Sequence, residues 1–159
     1  DGSASGSGSV TGTIAARTSI SGSSVFTTSL GGRTTSTISL GYETGYEEDS
    51  SLQLISGNYV DLLGFYSGVL NISSNGTLFL QDPVSGCIVN GRVSIINPAY
   101  NAYNIEFSYS NCTGLDSALN GVTFTGLAAY DAAGGQAIAF VQGSVGGTPF
   151  PNVFVFERV

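Results

Sequence analysis

Carboxylates are the ionisable side chains available for acid–base chemistry, because the chain contains neither histidine nor lysine. Paired carboxylates held about 5 to 9 Å apart can hydrolyse glycosides. The candidates stand singly along this chain: Asp61, Asp82, Glu106, Asp116, Asp131 and Glu157. Glu106 alternates with Ile105 and Phe107, which predicts a side chain that points to solvent near Arg92. We therefore predict no catalytic residue and a protein that is not an enzyme.

An acidic segment containing Glu43, Glu47, Glu48 and Asp49 offers the oxygen ligands that Ca²⁺ prefers. It lacks the alternating spacing and central glycine of an EF-hand loop, so a solvated acidic turn is the favoured interpretation. Tyr100 and Tyr103 could contact a sugar, but without tryptophan packing within a hairpin is favoured. The sequence predicts no metal and no cofactor.

The two cysteines, Cys87 and Cys112, lie in two alternating, β-branched segments that predict a hairpin around residues 98–101. A four-residue loop would place residues whose numbers sum to 199 opposite one another, and Cys87 and Cys112 satisfy that sum. The predicted disulfide would favour an oxidising compartment, so we expect an extracellular, cell-surface or periplasmic location. Two reduced, buried thiols are the alternative.

The apolar residues of this hairpin require a different register. Val89, Val93 and Ile95 share one face of the first segment, and residues 103, 105, 107 and 109 share one face of the second. All are odd, so burying both sets requires an even sum, because a shift of one residue turns every side chain to the other face. We therefore predict either a bulge near residues 109–111 or a five-residue loop with a diagonal disulfide.

Short alternating segments separated by turn residues extend along the whole chain, and no window resembles a long amphipathic helix. The Asn75-Gly76 dipeptide between two apolar segments is the strongest hairpin signal. This pattern predicts an all-β protein: an antiparallel meander of about 8–10 strands that forms a β-barrel or a β-sandwich. We predict a flexible tether over residues 1–9 and a single all-β domain over residues 10–159.

Residues 10–45 differ from the rest of this domain, because they are rich in Gly, Ser and Thr and contain few large apolar residues. One interpretation is a set of ordinary edge strands with small polar side chains. The other is an N-terminal strand arm that binds a partner by strand addition, with Val10, Ile14, Ala16 and Ile20 as its contact residues.

Charge and hydropathy exclude several classes of partner. The net charge of -7, with only four cationic residues, has the wrong sign for binding nucleic acid. No apolar stretch approaches the roughly 18 residues that a membrane-spanning helix requires, so we predict no transmembrane helix.

From about Leu63 onward, the roughly C-terminal 60% of the chain resembles a group of uncharacterised bacterial secreted proteins or lipoproteins. The matching segments are Gly68–Ile72, Asn75-Gly76, Gly86-Cys87, Gly91–Ser94, Asn101–Tyr103, Cys112 and Thr125–Ala128. The resemblance implies an all-β domain with one disulfide hairpin outside the cytoplasm, and it implies no functional site. It does not extend to the N-terminal 60 residues, and the chain has no lipobox cysteine.

Two hypotheses of function follow. The first is a non-enzymatic, extracytoplasmic structural or surface protein that associates with itself or with another surface protein. In its strongest form this protein is a filament subunit that assembles by N-terminal β-strand exchange. The alternative is a β-barrel protein or lipoprotein that binds a small ligand in a cavity lined by phenylalanines. These are Phe65, Phe79, Phe107, Phe124, Phe140, Phe154 and Phe156.

Overall fold

The computed structural model describes residues 6–42 and 44–159, and the chain divides into two compact units at residues 1–44 and 45–159. The first unit contains strands β1 (Gly6–Ala15), β2 (Ser19–Thr28) and β3 (Arg33–Gly41). The second contains β4 (Gly57–Asp61), β5 (Leu70–Ile72), β6 (Thr77–Gln81), β7 (Ile88–Ile95), β8 (Tyr103–Ser110), β9 (Thr123–Asp131), β10 (Gln136–Val145) and β11 (Thr148–Arg158). One α-helix, α1 (Leu52–Ile55), and 3-10 helices at Thr44–Glu47 and Gly114–Leu119 complete the described elements.

The N-terminal unit is a three-stranded antiparallel sheet in the order β1-β2-β3. Its first strand starts at Gly6, inside the segment predicted to be a flexible tether. Backbone pairing explains the difference, because Gly6 to Ser9 pair with residues 25–28 of β2 and need no side-chain burial to do so. Residues 10–159 also divide into two units, whereas a single domain was predicted.

The second unit is a closed barrel of eight antiparallel strands. Each of β4 to β10 pairs with the next strand in the chain, and β11 closes the barrel by pairing with β4. The closing register places Phe156 opposite Asp61 and Arg158 opposite Tyr59. The all-β class and the antiparallel meander are confirmed, and the meander forms a barrel.

Alternate residues of the barrel strands point inward and form one core. The core includes Leu70, Ile72, Leu78, Leu80, Val89, Val93, Ile105, Phe107, Phe124, Phe154 and Phe156. Gly126 lies between inward-facing Ile105 and Val141, and a Cβ at this position would lie 2.0 Å from the carbonyl oxygen of Phe140. The neighbouring strand therefore approaches β9 more closely than any side chain at position 126 would permit.

One end of the barrel is closed by α1. Ser51 caps this helix, because its hydroxyl accepts a hydrogen bond of 3.0 Å from the backbone N–H of Leu54. Ile55 is buried at the end of the helix, and the hydroxyl of Tyr59 donates a hydrogen bond of 2.6 Å to its carbonyl oxygen. The guanidinium of Arg158 donates to the carbonyl oxygens of Leu54 and Ser56. These contacts join the helix to both strands of the closing pair.

The hairpin of β7 and β8 has the even register that its apolar faces require. Val89 lies opposite Tyr109 and Val93 opposite Ile105, so opposed residues sum to 198. Burial of both odd-numbered faces therefore determined the register of the ladder, and the sum of 199 applies to the two cysteines but not to the ladder. In the described part of the chain, no helix is both long enough and apolar enough to cross a membrane.

Candidate functional site

Cys87 and Cys112 form a disulfide just beyond the last pair of the β7–β8 ladder. In the even register Asn111 would lie opposite Cys87. Asn111 instead has a φ of 58°, a left-handed conformation that asparagine tolerates better than most residues. We attribute the alignment of Cys112 with Cys87 to this turn. The predicted disulfide is confirmed. The ladder from residue 88 to 110 is continuous, and the one-residue offset between this ladder and the disulfide lies at Asn111, at the end of the segment for which a bulge was one of the two predicted alternatives.

The barrel end that carries the disulfide contains a pocket of about 170 Å³, here called the mouth pocket. Its floor consists of the buried residues Tyr109, Phe124, Phe154 and Cys87. Residues at its rim include Phe65, Phe150 and Asp116, all of them exposed. The lining is completed by Tyr66, Ser85, Leu119 and Asn152.

A pair of tyrosine hydroxyls lies in the wall of the mouth pocket. The hydroxyls of Tyr66 and Tyr109 share one hydrogen bond, in which either oxygen can be the donor. Burial raises the pKa of Tyr66 above its ordinary value, and Tyr109, Asp61 and Asp82 raise it further. Burial also raises the pKa of Tyr109, although the hydrogen bond with Tyr66 opposes this effect. Both hydroxyls therefore keep their protons at neutral pH, and one of the two protons forms the bond between them.

The loop that carries Tyr66 is organised by Asp61. Its carboxylate accepts hydrogen bonds from the backbone N–H groups of Leu63 and Tyr66, each 3.0 Å long, and from that of Phe65. These bonds fold the chain after β4 into a tight loop that places Phe65 and Tyr66 at the barrel end. Asp61, considered as a possible catalytic acid from the sequence, thus has a positioning role for the pocket wall.

Asp82 is a buried carboxylate that joins two loops at the same end of the barrel. It accepts hydrogen bonds from the backbone N–H of Ser67 at 2.9 Å, and from the N–H and hydroxyl of Ser85 at 2.9 and 2.6 Å. Burial by itself would raise the pKa of Asp82, but the hydrogen bonds from Ser85 and Ser67 outweigh burial and lower it. The ionised carboxylate is therefore the form that holds these loops together.

The N-terminal sheet has two chemically different faces, because its register places even-numbered residues opposite even-numbered ones. The even-numbered face, here called the apolar face, carries Val10, Ile14, Ile20, Phe26, Ile38 and Leu40, together with Gly6, Gly8, Gly12, Gly22, Ser24, Thr28, Thr34 and Ser36. The odd-numbered face, here called the hydroxyl face, carries Ser7, Ser9, Thr11, Thr13, Ser19, Ser21, Ser23, Thr27, Thr35, Thr37 and Ser39 together with Val25 and Arg33. The apolar face has no charged residue.

The four residues predicted to bind a partner do not all lie on this apolar face. Val10 and Ile14 belong to β1, and Ile20 lies opposite Ile14 on β2. Ala16 instead lies in the turn between the strands, where Arg17 has a φ of 54°. Because β1 is paired with β2 along its length, the segment is a strand within a sheet, as in the first of the two interpretations of residues 10–45, and not an arm without a partner strand. Phe26, Ile38 and Leu40 complete the apolar face, and alternation in the sequence could have identified them.

The phenylalanines predicted to line a cavity divide between the core and the surface. Phe107, Phe124, Phe154 and Phe156 are buried, whereas Phe65, Phe79 and Phe140 are exposed. The interior void that touches Phe107, Phe154 and Phe156 measures about 30 Å³, room for one or two water-sized spheres. The aromatic side chains therefore fill this part of the barrel interior.

The outer surface carries an open apolar groove of about 720 Å³ across β9, β10 and β11. Its apolar lining includes Leu63, Phe65, Leu127, Phe140, Pro151 and Val153.

Glu106 lies opposite Arg92 in the β7–β8 ladder, and both side chains are exposed. The alternation of residue types predicted this exposure for Glu106.

The residues considered as a sugar-contacting patch are separated by the fold. Tyr103 is fully buried, and the side-chain amide of Asn101 exchanges hydrogen bonds with the backbone of Tyr130. Tyr100 stacks on Tyr46, with ring centroids 5.0 Å apart. These contacts hold the loop between β7 and β8 against the segment before α1. Tyr100 and Tyr103 therefore pack against other parts of the fold, as the sequence favoured, and do not form a shared sugar-contacting surface.

The acidic segment forms no metal site in the part of the chain described. Glu43 lies outside the described residues. Among residues 6–42 and 44–159, no group of three or more His, Cys, Asp or Glu side chains is arranged to hold a metal ion.

Fold and site together define a disulfide-linked, eight-stranded antiparallel barrel with one end closed by a helix and a small pocket at the other. The preceding sheet adds an uncharged apolar face. Comparisons with protein-family models, with curated proteins and with solved structures find no match to the chain.

Proposed function

We propose that the chain is a non-enzymatic structural or surface protein outside the cytoplasm, and that it self-associates through the apolar face of its N-terminal sheet. The observation that carries the proposal is the exposure of this face. Val10, Ile14 and Leu40 are 69%, 75% and 55% exposed. A small sheet with an uncovered apolar face has little stability of its own, so covering that face is favourable.

A second copy of the chain is the occupant that the face fits best. Every copy presents the same surface, and no charge on it opposes another copy in a two-fold arrangement. Two such sheets would pack about 10 Å apart as a six-stranded sandwich. Three strands of nine or ten residues cover roughly 400 Å² in projection. A stable interface buries about 800 Å² per partner, so we expect a weak, concentration-dependent dimer.

Filament growth would be a second step of the same assembly. The outer edges of β1 and β3 are unpaired within the sheet. β3 carries Arg33, whereas β1 has no charged residue, so the edge of β1 is the one suited to accept a further strand by backbone pairing. Strand exchange in its simplest form would require β1 to leave β2, whereas addition at an open edge requires no such opening. Copies joined by their faces and also by their edges would extend into a filament.

Two observations support the remaining parts of the proposal. Asp61 and Asp82 are engaged in hydrogen bonds that shape loops, which supports a non-enzymatic role. The Cys87–Cys112 disulfide is typical of proteins outside the cytoplasm and supports that location.

The test compares two valine-to-serine substitutions on opposite faces of the same sheet. In light scattering over about 1 to 100 µM, a range that spans weak association, we expect the full chain to change from monomer to dimer. Val10→Ser, especially combined with Ile14→Ser, should keep it monomeric. Val25→Ser on the hydroxyl face is the matched control and should leave dimerisation unchanged.

A monomer at every concentration would overturn the proposal, as would an equal loss of association in the Val25→Ser control. Electron microscopy of the same samples tests the second step. Filaments that persist in the Val10→Ser/Ile14→Ser variant would show that edge addition, and not the apolar face, drives assembly.

A further inference from the structure

We infer that the mouth pocket binds a small, uncharged molecule with a single aromatic ring and a hydrogen-bond acceptor, such as a phenol. All residues of this pocket belong to the unit at residues 45–159. The inference is therefore independent of self-association through the N-terminal sheet. It places a binding function at the end of the barrel rather than in its filled interior.

Size restricts the ligand to a single ring. The mouth pocket measures about 170 Å³, whereas sites for drug-sized molecules measure roughly 300 to 1,000 Å³. A buried apolar cavity of about 150 Å³ is large enough to hold benzene. One aromatic ring with a small substituent therefore matches the space available.

The walls favour a planar aromatic molecule. Rings of Phe124 and Phe150 meet edge to face with centroids 6.2 Å apart, and Tyr109 meets Phe124 in the same manner at 5.5 Å. Tyr66 lies against Phe154, with centroids 5.7 Å apart. Ring faces and edges thus border the pocket on several sides, and a further ring adds favourable aromatic contacts.

The tyrosine pair selects a ligand that can accept a hydrogen bond. Each hydroxyl has one proton, and the bond between Tyr66 and Tyr109 uses only one of the two. Within the described residues neither hydroxyl has another hydrogen-bond partner, so one proton remains free for an acceptor. A ligand oxygen or nitrogen at this point would gain a hydrogen bond beside the buried side chains of Tyr109, Phe124 and Phe154.

Nearby carboxylates exclude anions. Asp116 lies at the rim, and Asp61 and Asp82 are close enough to Tyr66 to influence its ionisation. The chain as a whole has a charge of -7. An anionic ring such as benzoate would meet repulsion from all of these charges, whereas a neutral ring would not.

The experiment measures binding of phenol, toluene and benzoate to the full chain by calorimetry and by NMR of the aromatic side chains. We expect phenol to bind more tightly than toluene, and benzoate to bind least. The double variant Tyr66→Phe/Tyr109→Phe removes both hydroxyls together, so it leaves no unpaired polar group behind. In this variant the affinity for phenol should fall about tenfold while that for toluene is retained.

Tyr103→Phe is the matched control, because Tyr103 is a buried tyrosine at the opposite end of the barrel, where its hydroxyl interacts with the backbone of Ser51. It should bind all three molecules as the unmodified chain does. Leu119→Trp, which fills the pocket, should abolish binding of phenol and toluene while the far-ultraviolet spectrum of the barrel is unchanged.

Three results would overturn the inference. The first is phenol that binds no better than toluene to the unmodified chain, and the second is an equal loss of phenol binding in Tyr103→Phe. The third is phenol binding that survives in a folded Leu119→Trp variant. If toluene binds and phenol shows no preference, the pocket is a ligand site of a different class; if none of the molecules binds, the site itself is excluded.

Discussion

The guanidinium of Arg158 lies over the ring of Tyr130, 4.7 Å from its centroid, and 5.5 Å from that of Tyr59. The same group donates hydrogen bonds to the carbonyl oxygen of Ser56 at 2.8 Å and to the hydroxyl of Tyr59 at 3.1 Å. One side chain near the C-terminus thus connects the last strand of the barrel with the first strand and with the residue that follows α1. We conclude that Arg158 stabilises barrel closure.

Replacing Arg158 tests this conclusion. Arg158→Ala should lower the free energy of unfolding of the barrel by about 1–2 kcal/mol, because it removes charge-assisted hydrogen bonds and a cation–π contact at a solvent-exposed position. Arg158→Lys should recover part of the loss through a single hydrogen bond. Urea unfolding followed by near-ultraviolet circular dichroism reports on the barrel, which contains every tyrosine except Tyr42. Equal stability of Arg158→Ala and the unmodified chain would contradict the prediction.

The disulfide should make a larger contribution, because it joins residues separated by 25 positions. In the chain-entropy model, a loop of this length is worth about 3–4 kcal/mol. We expect the Cys87→Ala/Cys112→Ala variant to unfold at a correspondingly lower urea concentration. Reduction should destabilise the unmodified chain to a similar degree and leave the variant unchanged. A stability that does not respond to reduction would refute this account.

Asp82 should make the barrel sensitive to acid. Its pKa is lower in the folded chain than the ordinary 3.8, so the ionised carboxylate stabilises the fold above about pH 4. This contribution is lost as the pH falls through the lowered pKa of the folded state. Asp82→Asn should cost about 2 kcal/mol at neutral pH, because it weakens the bonds from Ser67 and Ser85. The difference from the unmodified chain should shrink below pH 4.

Asp131→Asn provides the control for this pH dependence. Asp131 accepts a bond of 3.0 Å from the backbone N–H of Ala133 in an exposed turn. We expect its replacement to change stability by less than about 0.5 kcal/mol. Unfolding curves recorded from pH 7 to pH 3 distinguish the two variants, and a pH-independent cost of Asp82→Asn would exclude the ionised carboxylate as the cause.

Gly126 should tolerate no side chain. A Cβ there would lie 2.0 Å from the carbonyl oxygen of Phe140 and 2.7 Å from the Cα of Val141, so β9 and β10 would have to separate. Gly126→Ala should therefore cost more than about 2 kcal/mol. Gly45→Ala, at a position with no atom within 4 Å of the new methyl group, should be nearly neutral in the same thermal or urea measurement. Similar costs for the two variants would show that the barrel adapts by other means.

The alternation of residue types was sufficient to predict much of the fold. It predicted the all-β class, the hairpin at Asn75-Gly76 between β5 and β6, and the even register of β7 and β8. Each of these depends on neighbouring segments, where the alternating period and the turn residues act over a few positions. The register conflict at the cysteines was visible for the same reason. One of the two predicted solutions, a bulge near residues 109–111, includes Asn111, but the left-handed conformation of this residue was not predicted.

Local patterns in the chain were therefore enough to identify the residues that alternate, the segments that form hairpins and the cysteines that can meet. The pairing of β11 with β4, the closure of the barrel and the pocket at one end depend instead on the complete fold. The complete fold also explains the roles of three charged residues. Asp61 and Asp82 hold loops through hydrogen bonds, and Arg158 connects β11 with β4. The physical reason is distance along the chain. Residue 156 lies opposite residue 61 because the twist and coil of all eight strands together bring the first and last strands side by side. No short segment of the sequence contains enough information to predict this pairing.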